Sequence, residues 1–487
     1  MKNQPKITVG IMDRQTEVFG RLDGNFRGDG FGPLSGRFSA KAEAGMIVLT
    51  DEAHREIVRS PSIRFTASGV PQANPCQLTH AHVGRHPGQQ PLDFSCRGKG
   101  STLRLRQERK AGSRQAFTLF NVTIGNHFHW ERTEDQTFQG DLILRPRKDG
   151  TICAINKIPL EDYLKSVISS EMSAAAPMEF LKTHAILSRS WLLAALRRRK
   201  KTKDTSMPAG RILEKEGEVV RWYDREDHDL FDVCADDHCQ RYQGITKITS
   251  RQADEAVLET RGMVIAYDDE ICDARYAKAC GGITEDFETA WEDKRVPYLV
   301  SISDAPLPHH PAGTEEEAAR WILSEPEAYC NTKDERLLEQ ILPDFDRETT
   351  EFFRWTIEYS RGDLEETLRT KSGIDFGTLQ DITPLARGPS GRISRLKIVG
   401  SKRSMVVGKE LEIRRWLSRT HLYSSAFIVT ATRDANGEAQ TFTFRGAGWG
   451  HGVGLCQIGA AVMATRGFTA AQILGHYFRD IEIRKVY

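Results

Sequence analysis

The sequence predicts an α+β fold in which a β-rich N-terminal part precedes a domain that contains a pair of helices. Apolar and polar residues alternate in several stretches of residues 5–155, such as 6–11 and 117–124, and glycine-containing turns separate these stretches. From residue 160 the apolar residues recur with helical spacing instead. With 487 residues the chain has room for two or three domains, and we expect one unit over residues 1–155 and a second over 156–487.

Residues 70–116 interrupt the β-rich part. They are poor in apolar residues and rich in Gln, Arg, His, Pro and Gly. Such a segment buries too little apolar surface to offset the entropy of ordering it, so we expect a loose insertion here.

The helix pair is predicted from two apolar stripes. The first stripe has the spacing i, i+3, i+4, i+7, i+8, i+11 and consists of Leu160, Tyr163, Leu164, Val167, Ile168 and Glu171. Pro177 fits the first turn of the second helix, whose apolar face consists of Leu181, Ala185, Arg189, Leu192 and Leu196. The basic run at residues 197–203 is predicted to be a solvated helix end, which the helix dipole favours.

Glu171 and Arg189 thus each lie on an apolar helical face, where an ionisable side chain is usually paired or functional. Two interpretations stay open. In one, the two residues form a buried ion pair that ties the helices together. In the other, Glu171 is a general acid in apolar surroundings at the end of its helix.

Further elements follow the helix pair. Strands are predicted at residues 262–267, 274–279, 396–399, 425–432 and 441–444. Helical segments are predicted at residues 315–342 and 469–477.

Charge and hydropathy exclude several classes of protein. Lys plus Arg (68) and Asp plus Glu (67) nearly cancel, so no global field draws the chain to nucleic acid or to an anionic membrane. No apolar run approaches the roughly 20 residues of a transmembrane segment, and residues 1–13 lack the apolar core of a signal peptide. The nine cysteines are too dispersed for a small disulfide scaffold, which favours metal binding for any clustered subset.

One cluster of potential metal ligands lies in the segment HDLFDVCADDHC, which contains His228, Cys234, His238 and Cys239. Two Cys and two His make a closed tetrahedral set for zinc, so such a site would be structural rather than catalytic. The alternative is a set of unconnected surface residues with one buried cysteine.

A glycine-rich stretch, GAGWGHGVGLCQIGA, covers residues 446–460, with a glycine at every second position from 446 to 454. This spacing matches neither the dinucleotide fingerprint G-x-G-x-x-G nor a Walker loop. The glycines would let the backbone approach the helix that ends at Glu171, or a substrate, closely, or they form a tight β-turn packing module. A Cys/His nucleophile would also need a base and an orienting partner, and it is disfavoured.

Five segments together resemble the SpoIID/LytB family of bacterial cell-wall proteins, over about residues 155–487. They are IPLEDYLKSVISSEM (158–172), PMEFLKTHAILSRSWLLA (177–194), RYAKACGGITED (275–286), VPYLVSISD (296–304) and the glycine-rich stretch 446–460. Three positions differ from the family pattern: His184 replaces a glutamine, Cys280 a Ser or Thr, and Cys456 a Ser. Replacement of one small residue by another explains both cysteines.

The resemblance implies a lytic transglycosylase that cleaves peptidoglycan glycan strands lacking stem peptides and leaves 1,6-anhydro products. Glu171 matches the catalytic glutamate, and Arg189, Tyr276 and Lys278 would bind glycan substituents or steady it. His451 and Gln457 would offer hydrogen bonds to the sugar. The resemblance also supports the zinc site and implies a location in the cell envelope.

A second function stays open, that of a non-catalytic glycan-binding protein that stimulates a peptidoglycan amidase. Its partner would be that amidase, and it would alter product yield only when the amidase is present.

Overall fold

The computed structural model describes residues 4–28, 31–67, 115–126, 131–203, 212–223, 228–347 and 351–487. The loose insertion predicted at residues 70–116 lies outside the described residues, apart from its last two positions, and it stays a prediction.

The N-terminal part is rich in strands, as predicted. Its strands are β1 Lys6–Gln15, β2 Glu17–Gly28, β3 Phe31–Glu43, β4 Met46–Asp51, β5 Glu56–Ser60, β6 Ile63–Ala67, β7 Ala116–Ile124, β8 Arg132–Phe138, β9 Asp141–Pro146 and β10 Ile152–Pro159. They form an antiparallel sheet in the order β1-β10-β9-β6-β2-β3-β4-β5, while β7 pairs with β2 and β8.

The predicted helix pair is confirmed as a structural element. Helix α1, Leu160–Glu171, begins directly after β10, and α2, Met178–Lys203, follows a short link. The apolar stripe of α1 is fully buried in the same hydrophobic core as the inner faces of the N-terminal strands. This shared core crosses the boundary expected at residue 155, because α1 and the sheet bury their apolar faces against each other.

The middle of the chain has short elements. They are β11 Ile212–Lys215, β12 Glu218–Arg221, β13 Val233–Cys234, α3 Arg251–Glu259, β14 Met263–Tyr267, β15 Glu270–Ile271, β16 Tyr276–Ala277, α4 Phe287–Ala290, α5 Glu315–Leu323, α6 Glu335–Ile341 and a 3₁₀ turn at Asp344–Asp346. Strand β13 joins the N-terminal sheet parallel to β1. The strand expected at residues 274–279 is reduced to the two residues of β16.

The C-terminal part adds β17 Arg354–Ser360, α7 Arg361–Ser372, β18 Leu379–Arg387, β19 Ile393–Gly400, β20 Ser404–Gly408, α8 Glu410–Trp416, β21 Phe427–Arg433, β22 Ala439–Ala447, β23 Leu455–Cys456, α9 Gln457–Thr465, α10 Ala470–Tyr477 and β24 Glu482–Lys485. A second core forms between the sheets β11-β12-β20-β19-β18 and β17-β22-β21 and the helices α7 and α8. None of the described helices combines the length and apolar character that a membrane span needs.

The C-terminal part of the chain packs against the helix pair. Strand β23 pairs in parallel with β16, and α9 packs against α2. This return places the glycine-rich stretch beside Tyr276.

Candidate active site

A cavity of about 280 Å³ lies at the C-terminal end of α1, between the helix pair and the C-terminal part. The residues that line it include Glu171, Arg241, Tyr276, Trp291, Tyr423 and Trp449. They come from segments far apart in sequence, so only the tertiary fold assembles this cavity.

Glu171 is the last residue of α1 and is only 8% exposed. Its Oε1 accepts a hydrogen bond from the Tyr276 hydroxyl at 2.8 Å and another from the main-chain N–H of Arg241 at 2.9 Å. Both donors are neutral, and Glu171 forms no ion pair with any of the described residues. The carboxyl group is therefore oriented by neutral donors.

The other two carboxylates of the cavity are bound by cations. Lys278 Nζ lies 2.7 Å from Asp346 Oδ2, and Arg241 Nε lies 2.6 Å from Asp237 Oδ1. Lys278 also donates to the main-chain oxygen of Glu171 at 3.1 Å, at the open C-terminal end of α1. A cation at this position complements the negative end of the helix.

The Tyr276 hydroxyl is protonated at neutral pH. Burial first, and the nearby charge of Glu171 second, raise the pKa of Tyr276 well above its usual range. The hydroxyl is thus available as a donor to Glu171.

Gln457 lines the cavity and is linked to Tyr276 through His184. As the first residue of α9 it is 2% exposed, and its amide nitrogen lies 3.0 Å from His184 Nε2. The His184 ring packs edge-to-face on Tyr276 with centroids 4.9 Å apart. Burial lowers the pKa of His184 to about 3, so the ring is neutral and can accept the amide hydrogen bond.

His451 lines the cavity, as its predicted role requires. Its Nδ1 accepts a hydrogen bond from the Val453 N–H at 3.0 Å, so Nε2 carries the proton of the neutral ring. Burial, and then the charge of Arg275, lower the pKa of His451 well below its usual range. The ring also hydrogen-bonds the main chain of Tyr276, so His451 is fixed between the glycine-rich stretch and β16.

Arg189 does not lie at this cavity. Its guanidinium is fully buried and binds Glu161 through Nε at 3.0 Å and Nη2 at 2.7 Å, and it donates to the Met263 carbonyl at 2.9 Å. A buried ion pair does link α1 and α2, but its carboxylate is Glu161 and not Glu171.

The geometry of a helix hairpin explains this pairing. A six-residue link joins α1 to α2, so residues at similar distances from the link face each other, as Glu161 and Arg189 do. Glu171 lies next to the link, whereas Arg189 lies about 16 Å along α2 at a rise of about 1.5 Å per residue.

The four predicted metal ligands converge. The candidate ligand atoms of His228, Cys234, His238 and Cys239 all lie within 4.8 Å of one another. Cys239 Sγ lies 3.4 Å from both His228 Nε2 and His238 Nδ1. These separations fit the edges of a tetrahedron with bonds of about 2.0–2.3 Å to a central ion, so the residues can bind a metal.

This cluster of ligands, the His/Cys cluster, is connected to the candidate active site. The segment that carries it pairs with β1 through β13 and leads directly to Arg241, whose main-chain N–H reaches Glu171. The basic end of α2 supports the same segment, because Arg199 donates to the carbonyls of His228 and Phe231. The expectation of a merely solvated basic end is wrong for Arg199, whose charge is used in tertiary contacts.

The alternating glycines approach a different part of the chain from the one expected. Gly448 has φ = 75°, and a Cβ there would lie 2.7 Å from the Cys280 carbonyl oxygen. Gly452 has φ = 74°, and its Cβ would lie 2.4 Å from the Arg392 guanidinium. The glycines therefore allow close packing against the segment around β16 and against Arg392, rather than against α1.

Aromatic side chains form one wall of the cavity, which sequence reasoning missed. Tyr423 and Trp449 stack with ring centroids 4.0 Å apart, and Trp291 packs against His451 at 4.8 Å. Only Trp449 lies in a recognised motif. Nothing in the local sequence around Trp291 or Tyr423 separates them from core aromatics.

Comparisons with known proteins agree with the resemblance of the motifs. The family model described as stage II sporulation protein matches residues 148–267, and a model described as a domain of unknown function, DUF8618, matches residues 285–454. Stage II sporulation protein D of Bacillus amyloliquefaciens is 24% identical over 331 residues, which cover 68% of this chain and 75% of that protein.

Two proteins of Bacillus subtilis are similar as well. Stage II sporulation protein D is 22% identical over 334 residues, covering 68% of this chain and 76% of that protein. The amidase enhancer is 24% identical over 328 residues, covering 65% of this chain and 39% of that protein. Motifs, family model and relatives agree: residues 148–267 match the stage II sporulation protein family model, and the chain is similar to stage II sporulation protein D and to the amidase enhancer.

Proposed function

We propose that the protein is a lytic transglycosylase that cleaves peptidoglycan glycan strands, with Glu171 as its single acid–base catalyst. The environment of Glu171 carries this proposal: a nearly buried carboxyl at the edge of a cavity, held by two neutral donors. Similarity to an amidase enhancer supports a peptidoglycan-related function.

The two donors assign roles to the two carboxyl oxygens. Because the Tyr276 hydroxyl and the Arg241 N–H both donate to Oε1, Oε2 of Glu171 is the oxygen that carries the proton. In the first step, this proton passes to the glycosidic oxygen as its bond to C1 breaks. The resulting carboxylate then takes the proton of the 6-hydroxyl of the same sugar as O6 bonds to C1, and a 1,6-anhydro ring forms.

Among the described residues that line the cavity, Glu171 is the only carboxylate without an ion pair, which favours this route over hydrolysis. Ordinary glycosidases need two carboxyl groups, of which the second is the nucleophile or activates water. Of the described residues around the cavity, Asp237 is bound by Arg241 and Asp346 by Lys278. A nucleophile within the substrate removes the need for a second base.

The remaining residues position the catalyst and the glycan. Tyr276 and Lys278 hold the carboxyl and main-chain groups of Glu171, and Gln457 supports Tyr276 through His184. The His451 ring and the faces of the aromatic wall contact the sugar, since a flat ring face suits the apolar face of a pyranose. Arg189 acts through the fold and does not touch the glycan.

The His/Cys cluster fits zinc. With four protein ligands it leaves no position for water or substrate, so the ion stabilises the fold and supplies no chemistry. Its effect on the reaction passes through the segment that ends at Arg241, whose main-chain N–H orients Glu171.

Product analysis tests the proposed reaction. Purified glycan strands, with and without stem peptides, are incubated with the protein, and the ends of the products are identified by mass spectrometry. We expect 1,6-anhydro ends, formed faster from strands without stem peptides. New reducing ends with incorporated ¹⁸O from water would contradict the transglycosylase and indicate hydrolysis.

A second candidate function is that of a glycan-binding amidase enhancer, which the similarity to a protein of that name favours. It predicts strand binding with no new ends of either kind. A purified peptidoglycan amidase added to the same reaction would then release more stem peptide in the presence of the protein.

A further inference from the structure

A second set of potential metal ligands lies in the core of the protein, on a different set of segments from the His/Cys cluster. It consists of Cys280, Asp304, Cys330 and Cys456, here called the buried Cys/Asp cluster. Each residue is at most 2% exposed, and the ligand atoms all lie within 4.8 Å of one another. We propose that the buried Cys/Asp cluster binds a second structural zinc ion.

The sulfur positions match a metal site better than a disulfide. Cys280 Sγ and Cys330 Sγ are 3.7 Å apart. Two thiolates at about 2.3 Å from a tetrahedral zinc ion are separated by about 3.8 Å, whereas a disulfide requires about 2.05 Å. A disulfide would also leave one of the three cysteines without a partner.

Main-chain donors point at the sulfur atoms. The Cys280 N–H donates to Cys456 Sγ at 3.2 Å, and the Gly282 N–H donates to Cys280 Sγ at 3.4 Å. Hydrogen bonds of this kind orient thiolate ligands and stabilise their charge.

The carboxylate is held in the same way. Asp304 Oδ2 accepts a hydrogen bond from the Cys330 N–H at 2.9 Å, and Oδ1 accepts one from the Tyr477 hydroxyl at 2.6 Å. Helix α9 closes over it, because a Cβ at Gly459 would lie 2.4 Å from Asp304 Oδ1. The carboxylate is thus fixed beside the three sulfurs in a site closed to water.

Two arginines supply a charge balance for an anionic site. Three thiolates, one carboxylate and Zn²⁺ carry a net charge of about −2. Arg392 donates to the Cys280 carbonyl at 3.1 Å and Arg354 to the Gly281 carbonyl at 3.0 Å. In the described part of the chain, the hydrogen bonds of Arg354 go to main-chain carbonyls, so an anionic metal site next to it would add to its counter-charge.

The position of the cluster in the fold gives the ion a structural role. The ligands lie after β16, after the β-bridge at Ser303, after α5 and at the end of β23. Regular elements are short in this part of the chain, so few ladder hydrogen bonds hold it together. A bound ion would tie these segments to the motif that carries Tyr276 and Lys278.

Metal counting on the full-length protein tests the proposal. Protein expressed with added zinc is analysed by elemental analysis and by native mass spectrometry. We expect two zinc ions per chain in the parent protein, one in the His228→Ala/Cys239→Ala variant, and one in Cys330→Ser. Cys272→Ser, which changes a buried cysteine outside both clusters, is the matched control and should retain two.

The outcomes separate the alternatives even if Cys330→Ser fails to fold. A His228→Ala/Cys239→Ala variant that binds no zinc would overturn the proposal, because the buried Cys/Asp cluster should still hold its ion in that variant. Alkylation of the denatured, unreduced protein provides an independent readout. The seven cysteines of the described residues should react, and a mass that corresponds to a disulfide between Cys280 and Cys330 would also overturn the proposal.

Discussion

Replacing Arg189 by methionine tests whether this residue supports the fold or binds substrate. The variant removes a fully buried cation and its two hydrogen bonds to Glu161. Glu161 itself is 4% exposed, and among the described residues it would keep as donors only the Tyr487 hydroxyl and a 3.4 Å contact from the Gly262 N–H. A buried carboxylate would thus lose its counter-ion.

The expected cost follows from this arrangement. Breaking a buried ion pair by removing one partner costs about 3–5 kcal/mol. That corresponds to a roughly 160- to 4,600-fold increase in the population of the opened helix pair. Apolar side chains can also fill this site. The double variant Glu161→Met/Arg189→Met should therefore lose less free energy of unfolding than the two single variants lose together.

Hydrogen exchange measured by mass spectrometry on peptides from α1 and α2 gives these opening free energies locally, which suits a chain of this size. Lys402→Met, which removes an exposed partner of Asp375, is the control and should leave exchange in α1 and α2 unchanged. If Arg189→Met shows the same protection from hydrogen exchange as the parent together with a raised KM for glycan strands, the structural role is refuted and Arg189 binds substrate.

Three further predictions concern the site. Tyr276→Phe removes a hydrogen bond to a charged group worth about 1.5–3 kcal/mol, so kcat should fall about 10- to 150-fold with little change in KM. Tyr298→Phe, which removes a half-buried hydroxyl outside the cavity, should leave both unchanged. Because burial lowers the pKa of His184 to about 3, the unfolded chain binds this proton first and stability falls as the pH drops from about 6.5 towards 3. The His184→Gln variant should therefore lose about 3–5 kcal/mol less than the parent over that window in denaturant titrations, and an identical pH profile would contradict the assignment. Trp449→Ala should weaken binding of glycan strands about 2- to 12-fold in co-sedimentation, and unchanged binding would exclude the aromatic wall as a sugar contact.

The features that consist of one short segment of the sequence could be predicted from the sequence pattern. The stripe that ends at Glu171 is a property of twelve consecutive residues, and α1 has the bounds that its spacing indicates. The His/Cys cluster could be predicted for the same reason, since all four ligands fall in one short segment.

Contacts between segments that are distant in sequence could not be predicted from the sequence patterns. The apolar stripes indicated that Arg189 is buried but not that Glu161 faces it across the helix hairpin. The buried Cys/Asp cluster and the aromatic wall have no constant spacing, because their members come from segments up to 176 residues apart. Single replacements of small residues explained Cys280 and Cys456 one at a time, whereas the fold brings them together.

Glu171→Gln tests the central claim most directly. The variant keeps the shape of the side chain and its contacts with Tyr276 and Arg241 but removes the proton that the first step transfers. Glu255→Gln on the exposed face of α3 is the matched control. We expect Glu171→Gln to bind glycan strands like the parent while the rate of 1,6-anhydro product formation, followed by mass spectrometry, falls at least about 10³-fold. Formation of anhydro ends by Glu171→Gln at close to the parent rate would contradict the assignment of Glu171 as the catalyst.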